Sequence, residues 1–208
     1  MGKFAIILDW SGLISNDAPP VYEANMRLLE YHGKARIGFE EWRSLTGATA
    51  AGFLRNCGID ADEQETYKIY RRHFDKISSN GGRPRIIPGV LETLEQLRDL
   101  RLGVLSTHPQ VNLRDEMQRY GIDDFFEFAI GGVIDKAQGL AGICERFGFN
   151  RYRTLYVGDM VYDVRAAKAA GLTSVAVSSR YAYHTRERLE AENPDIILGE
   201  FSWLAGVV

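Results

Sequence analysis

Five consecutive apolar residues, Phe4-Ala5-Ile6-Ile7-Leu8, end abruptly at Asp9, and no other feature limits the fold of this chain so tightly. A strand with one face in water alternates apolar and polar side chains. This run does not alternate, which predicts a central strand of a parallel sheet covered on both faces. A carboxylate at the C-terminal end of such a strand stands where open α/β sheets bind their ligands. Gly12, three residues on, suits a sharp turn that carries backbone amides toward whatever Asp9 attacks or binds.

From residue 16 to about residue 80 the periodicity is helical and contains no convincing strand. Val21, Ala24, Leu28 and Leu29 recur at helical spacing up to Gly33, and further helices are predicted near 39–45, 49–57 and 62–78. Ser78-Ser-Asn-Gly-Gly-Arg-Pro84 reads as a linker. Beyond it, Pro88 opens a helix with Val90, Leu94 and Leu97 on one face. Strands are then predicted at 102–106, 128–131, 154–158 and 174–177, with an edge strand at 195–198. They alternate with helices at 111–120, 136–148 and 164–170. The pattern is that of an α/β protein with a doubly wound parallel sheet, its core formed by residues 1–14 and 85–208 and interrupted by a helical insertion, 15–84.

At 208 residues, 45% of them hydrophobic, the chain can bury one such core with an insertion. Its formal charge of -3 leaves no basic footprint for nucleic acid or an anionic membrane surface. No apolar run approaches the roughly 18 residues of a membrane span. Cys57 and Cys144 lack metal-type spacing and suit reduced thiols in a cytoplasmic protein.

Four of the core strands leave polar groups at or just past their C-terminal ends: Asp9, then Ser106 and Thr107, then Lys136, then Asp159 with Asp163. In a parallel sheet these ends share one edge, so the side chains can converge. Two or three carboxylates with carbonyl and water oxygens make a Mg²⁺ site, and such a cation would neutralise Asp9 and a bound phosphate together. Asp159 and Asp163 also suit simple helix N-caps. Trp10 either lines the site mouth or packs under the insertion. His108 can reach a substrate, while His32, His73 and His184 read as surface or packing residues, and Arg71-Arg72 as a solvated helix face.

These motifs together resemble the haloacid dehalogenase superfamily, in its phosphoglycolate-phosphatase-like subgroup. Asp9-Trp-Ser-Gly-Leu-Ile14 matches the first motif, Asp-x-Asp-Gly-Thr-Leu, at the nucleophilic Asp and the Gly. Val104-Leu-Ser106-Thr107 resembles the second, Lys136 falls where the Lys of the third is expected, and Gly158-Asp159 through Asp163 is similar to the fourth. The insertion resembles the family's helical cap. The resemblance implies a Rossmann-like core and a hydrolase of small phosphorylated metabolites in which Asp9 attacks the phosphoryl group. It also implies Mg²⁺ held by Asp9, the Ser11 carbonyl and Asp159, with Asp163 behind them orienting metal waters or Lys136. Gly12, Ser106, Thr107 and Lys136 would contact the phosphate.

The chain departs from the pattern at Ser11, where family phosphatases carry a second Asp that protonates the leaving group and then activates water. A hydroxyl cannot do this at neutral pH, and general acid–base help is typically worth about 10² to 10⁴ in rate. Leu13 replaces the usual Thr, and Lys136 lacks the Pro that often follows it. Ser11 therefore keeps a second expectation open, a phosphate-binding or regulatory protein with little turnover, alongside phosphonatase or phosphotransferase chemistry. A phosphonatase would need a Schiff-base Lys in the cap, and Lys34, Lys68 and Lys76 do not stand where one is expected. The acidic fourth motif argues against a metal-free dehalogenase.

Overall fold

The computed structural model describes residues 4–208. In chain order, β1 (Ala5–Leu8) and a two-residue β2 (Ser15–Asn16) precede four helices: α1 (Ala18–Tyr31), α2 (Phe39–Leu45), α3 (Ala50–Asn56) and α4 (Glu63–Ile77). Then come β3 (Arg85–Ile86), α5 (Val90–Gln96), β4 (Arg101–Leu105), α6 (Gln110–Tyr120), β5 (Phe128–Ile130), α7 (Lys136–Phe147), β6 (Thr154–Gly158), α8 (Val161–Ala170), β7 (Thr173–Val177), α9 (Arg186–Ala191) and β8 (Ile196–Leu198).

The main sheet has the order β5-β4-β1-β6-β7-β8, and every pairing in it is parallel. β1 lies between β4 and β6, with Ile6 opposite both Leu102 and Leu155. Its period of two divides the core. Ile6 and Leu8 face a cluster with Val90 and Leu94 of α5 and Leu113 and Met117 of α6. Ala5 and Ile7 face Leu140, Ile143 and Cys144 of α7 and Ala166, Ala167 and Ala170 of α8. Burying Ile6, Ile7 and Leu8 completely stabilises the fold by roughly 1.5–3 kcal/mol for each side chain. The absence of polar alternation in the N-terminal run is thus the imprint of helices on both faces.

The helices between β2 and β3 have their own apolar centre of Met26, Leu28, Leu29, Trp42, Phe53 and Leu54, which Tyr183 joins from the other part of the chain. Their starts follow local chemistry. Thr49 accepts a hydrogen bond from Gly52 N at 3.0 Å at the head of α3, and Asp62 accepts one from Glu65 N at 2.8 Å at the head of α4. Pro19 and Pro20 stand in the first turn of α1, where a missing N–H costs nothing.

The structure corrects the strand-free reading of this stretch at its edges. Ser15–Asn16 pairs antiparallel with Arg85–Ile86, so the helical unit leaves and rejoins the sheet through a two-stranded ribbon too short to carry a periodic signal. α8 begins at Val161 rather than 164, and α9 lies where the sequence pattern predicts no helix. With Leu189 as its only buried residue, α9 presents no apolar stripe. No described helix is long and apolar enough to cross a membrane, and both cysteines are free thiols.

Candidate active site

The C-terminal ends of β1 and β6 and the first turn of α8 bring Asp9, Asp159 and Asp163 together, with one carboxylate oxygen from each within 4.8 Å of the others. Lys136, the first residue of α7, reaches into this group from the neighbouring loop, where Asp135 caps the helix by accepting from Gln138 N at 3.0 Å. Its Nζ lies 3.0 Å from Asp9 Oδ2 and 2.6 Å from Asp163 Oδ1. Tyr156 OH donates to Asp163 Oδ1 at 3.2 Å, and Met160 N donates to Asp163 Oδ2 at 3.0 Å. Asp163 therefore has both oxygens engaged and also caps α8. Asp159 Oδ2 accepts from Tyr183 N at 2.6 Å. Asp9 Oδ1 and Asp159 Oδ1 are buried and accept nothing.

Close approach at this corner dictates two glycines. A Cβ on Gly12, whose φ is +71°, would lie 2.1 Å from Asp159 Oδ2, and one on Gly158 would lie 2.3 Å from Asp163 Cγ.

Three buried carboxylates share one ammonium, and their electrostatics reflect it. Burial, then the charges of Asp163 and Asp9, push the Asp159 carboxyl well above the ordinary range. Burial also raises Asp163, against the pull of Lys136. Burial alone would lower Lys136, but Asp163 and Asp9 outweigh it and hold the ammonium charged. Buried polar atoms are normally paired, so two orphaned carboxylate oxygens in a cluster of three buried acids fit a hard divalent cation such as Mg²⁺. Asp9 and Asp159 carry the free oxygens that such an ion would need. Asp163 is committed to Lys136.

The remaining expected residues fall less evenly. Ser106 is buried and its Oγ accepts from His108 N at 3.3 Å, leaving its own proton to donate. Thr107 rather than Ser106 lines the adjoining cavity. The Gly12 N–H, expected to face a ligand, donates to Ser15 O at 2.9 Å within its own turn. Trp10 lines no mouth. Fully buried in the sheet core, it donates from Nε1 to Glu116 Oε2 at 2.7 Å and stacks 5.9 Å from Tyr120. His184 is a packing residue: its Nδ1 accepts from Val161 N at 3.1 Å, and burial, with nearby Arg188, depresses it to about 3.

A cavity of about 710 Å³ opens over Asp9 and Ser11, walled by α1, α4, residues 46–51, Thr107, His108 and Tyr183. Arg71 lines it, so only Arg72 of that pair is a solvated face. Sequence reasoning missed Asp17. This N-cap of α1 is 2% exposed and lines the cavity beside Ser11. Burial pushes its carboxyl up to about 6, partly offset by His108 and by the nearby Ser11 and Tyr183 side chains, yet Oδ1 accepts no hydrogen bond. For His108, burial opposes protonation but Glu116 overcomes it and raises the imidazole. The 3.5 Å between His108 Nε2 and Glu116 Oε1 makes this an ion pair rather than a hydrogen bond.

The family profile described as haloacid dehalogenase-like hydrolase matches residues 6–177. Phosphoglycolate phosphatase of Synechococcus elongatus is 29% identical over 199 residues, covering 93% of this chain and 92% of that one. Phosphoglycolate phosphatase of Photobacterium profundum is 26% identical over 218 residues, covering 98% and 94%. Among solved structures, a predicted phosphoglycolate phosphatase from Haemophilus somnus superposes with a TM-score of 0.78 at 22% identity, covering 100% of this chain and 99% of that one. A haloacid dehalogenase-like hydrolase from Streptococcus pneumoniae gives 0.83 at 18%, covering 99% and 98%. The chain belongs to the haloacid dehalogenase-like hydrolases, and within them it is an enzyme of the phosphatase kind.

Proposed function

We propose that this enzyme is a Mg²⁺-dependent phosphatase of small phosphorylated metabolites, acting in the cytoplasm through a phosphoryl group carried transiently on Asp9. The observation that carries the reading is the state of Asp9. Lys136 holds one oxygen at 3.0 Å, while the other is free of hydrogen bonds beneath a ligand-sized cavity. A carboxylate held on one oxygen by an ammonium, with the other oxygen free toward the cavity, is aimed as a nucleophile must be.

In the first step an Asp9 oxygen attacks phosphorus and the bond to the alcohol oxygen breaks, that oxygen taking a proton from solvent. In the second, water attacks the same phosphorus and gives up a proton to solvent, the bond to Asp9 breaks, and inorganic phosphate leaves. Lys136 offsets charge on Asp9 and the phosphoryl oxygens, and the Ser106 hydroxyl donates to one of those oxygens. Asp163 keeps the ammonium in place. Asp9, Asp159 and the Ser11 carbonyl would hold Mg²⁺, which when bound supplies positive charge against the phosphoryl oxygens. Residues 15–84 act as a cap whose closure excludes water from the cavity.

Phosphate binding with little turnover is the second reading, and Ser11 is the observation that favours it. Phosphate release from a panel of phosphorylated metabolites, with and without Mg²⁺, separates the two. Mg²⁺-dependent release over many turnovers supports the phosphatase. Binding without release from any member supports the second reading.

A further inference from the structure

Resting on the phosphatase reading, we infer that the preferred substrate is a nucleoside monophosphate: a phosphomonoester of a large, ring-bearing alcohol whose edge carries a hydrogen-bond donor beside an acceptor. The cavity lies within the 300–1,000 Å³ typical of sites for drug-sized ligands, far more than a two-carbon alcohol occupies. Its length is set by α1. Asp17, Val21 and Asn25 line it at successive turns of one helix face, so Asn25 stands about 12 Å along the axis from Asp17, which adjoins Ser11. A phosphate placed at Asp9 leaves glycolate well short of Asn25, whereas a nucleoside spans that distance.

The lining names the chemistry. Asn25 is 2% exposed, and its Oδ1 is buried without a hydrogen-bond partner. An unpaired amide oxygen in a cavity wall awaits a donor from the ligand, because buried polar groups are otherwise satisfied. A side-chain amide offers an acceptor and two donors on one plane, which matches the amino group and ring nitrogen of an adenine edge. On α4, Tyr67 lines the cavity while remaining 53% exposed, a ring face open for stacking, with Phe74 two turns further on the same helix. The same wall does not favour a second anion. Of the lining cations, Arg71 Nη2 is already bound to Asp75 at 2.8 Å and His108 is paired with Glu116, which leaves the exposed Lys68 set against the acidic Asp17 and Glu63.

Steady-state phosphate release at fixed Mg²⁺ from four compounds tests this: adenosine 5′-monophosphate, its analogue lacking the amino group, 2-phosphoglycolate and an aryl phosphate. The expected kcat/KM for the adenosine compound exceeds that for 2-phosphoglycolate by at least about tenfold, and the analogue falls between them. Asn25→Leu should close the gap between the adenosine compound and its analogue. Tyr67→Ala, at an exposed position that does not endanger folding, should raise KM for both. Equal or better turnover of 2-phosphoglycolate overturns the inference, as does a gap that persists in Asn25→Leu or a KM unmoved by Tyr67→Ala. Hydrolysis of the aryl phosphate without nucleoside preference defeats this inference alone, whereas hydrolysis of none of the four defeats the phosphatase reading with it.

Discussion

The backbone N–H of Tyr183 donates to Asp159 Oδ2 at 2.6 Å, and this bond orients a buried carboxylate whose other oxygen has no partner. The Tyr183 ring packs 5.4 Å from Trp42, so the residue that aims Asp159 also belongs to the apolar centre of the helical unit.

Asp159→Asn tests the cation site without reference to activity. In the metal-free protein Asp159 is raised by burial and by two like charges, so its ionisation opposes folding and the amide relieves it. Above neutral pH the metal-free variant should be more stable than wild type. Mg²⁺ at 100 times its dissociation constant should stabilise wild type by about 2.7 kcal/mol and the variant by much less. Thermal melts with and without Mg²⁺ check this, and equal Mg²⁺ increments in the two proteins would remove Asp159 from the site.

Asp17 predicts a pH-dependent stability difference. Its carboxyl titrates at about 6 in the fold against about 3.9 in an unfolded chain, so the fold prefers the protonated form. Its contribution is complete below about pH 4 and is lost as pH rises to about 6. Asp17→Asn stays neutral throughout, so its stability relative to wild type should rise across that window, by at most about 3 kcal/mol. Denaturant melts of both proteins at pH 4 and 7.5 measure it, and a gap independent of pH would contradict the assignment.

Ser11→Asp should raise turnover by supplying the proton carrier that Ser11 cannot, with a ceiling of about 10² to 10⁴. The neighbouring buried Asp17 works against it, because two carboxylates side by side cannot both ionise readily. Ser11→Asp combined with Asp17→Ser should therefore turn over an aryl phosphate faster than Ser11→Asp alone. No gain in a folded, Mg²⁺-binding double variant would show that the hydroxyl at position 11 is not what limits the rate.

Much of this architecture is legible in the sequence because strand ends are local signals. The apolar run before Asp9, the glycine before Asp159 and the placement of Lys136 at a helix start each announce a position on one sheet edge. The alternation Ile6, Leu8, Trp10 also carries the information that Trp10 faces the core, although its closeness to Asp9 draws attention elsewhere. What local pattern does not carry is a meeting across the fold. Asp17 belongs to no motif, and its place beside Ser11 emerges only when α1 is laid over the site. Asn25 likewise carries no signal in the sequence, because its helix face walls a cavity only once α1 and α4 are placed together. Tyr183 reaches Asp159 through a backbone N–H, which no side-chain motif records.

The central claim is that Asp9 carries the phosphoryl group during turnover. Rapid acid quench of the enzyme mixed with Mg²⁺ and an aryl phosphate, followed by proteolysis and mass spectrometry, examines it directly. The account predicts that the peptide containing Asp9 gains the mass of one phosphoryl group, that hydroxylamine removes it, and that Asp9→Asn shows neither gain nor turnover. Steady hydrolysis by wild type with no labelled Asp9 peptide, or turnover near wild type in a folded Asp9→Asn protein, would contradict it.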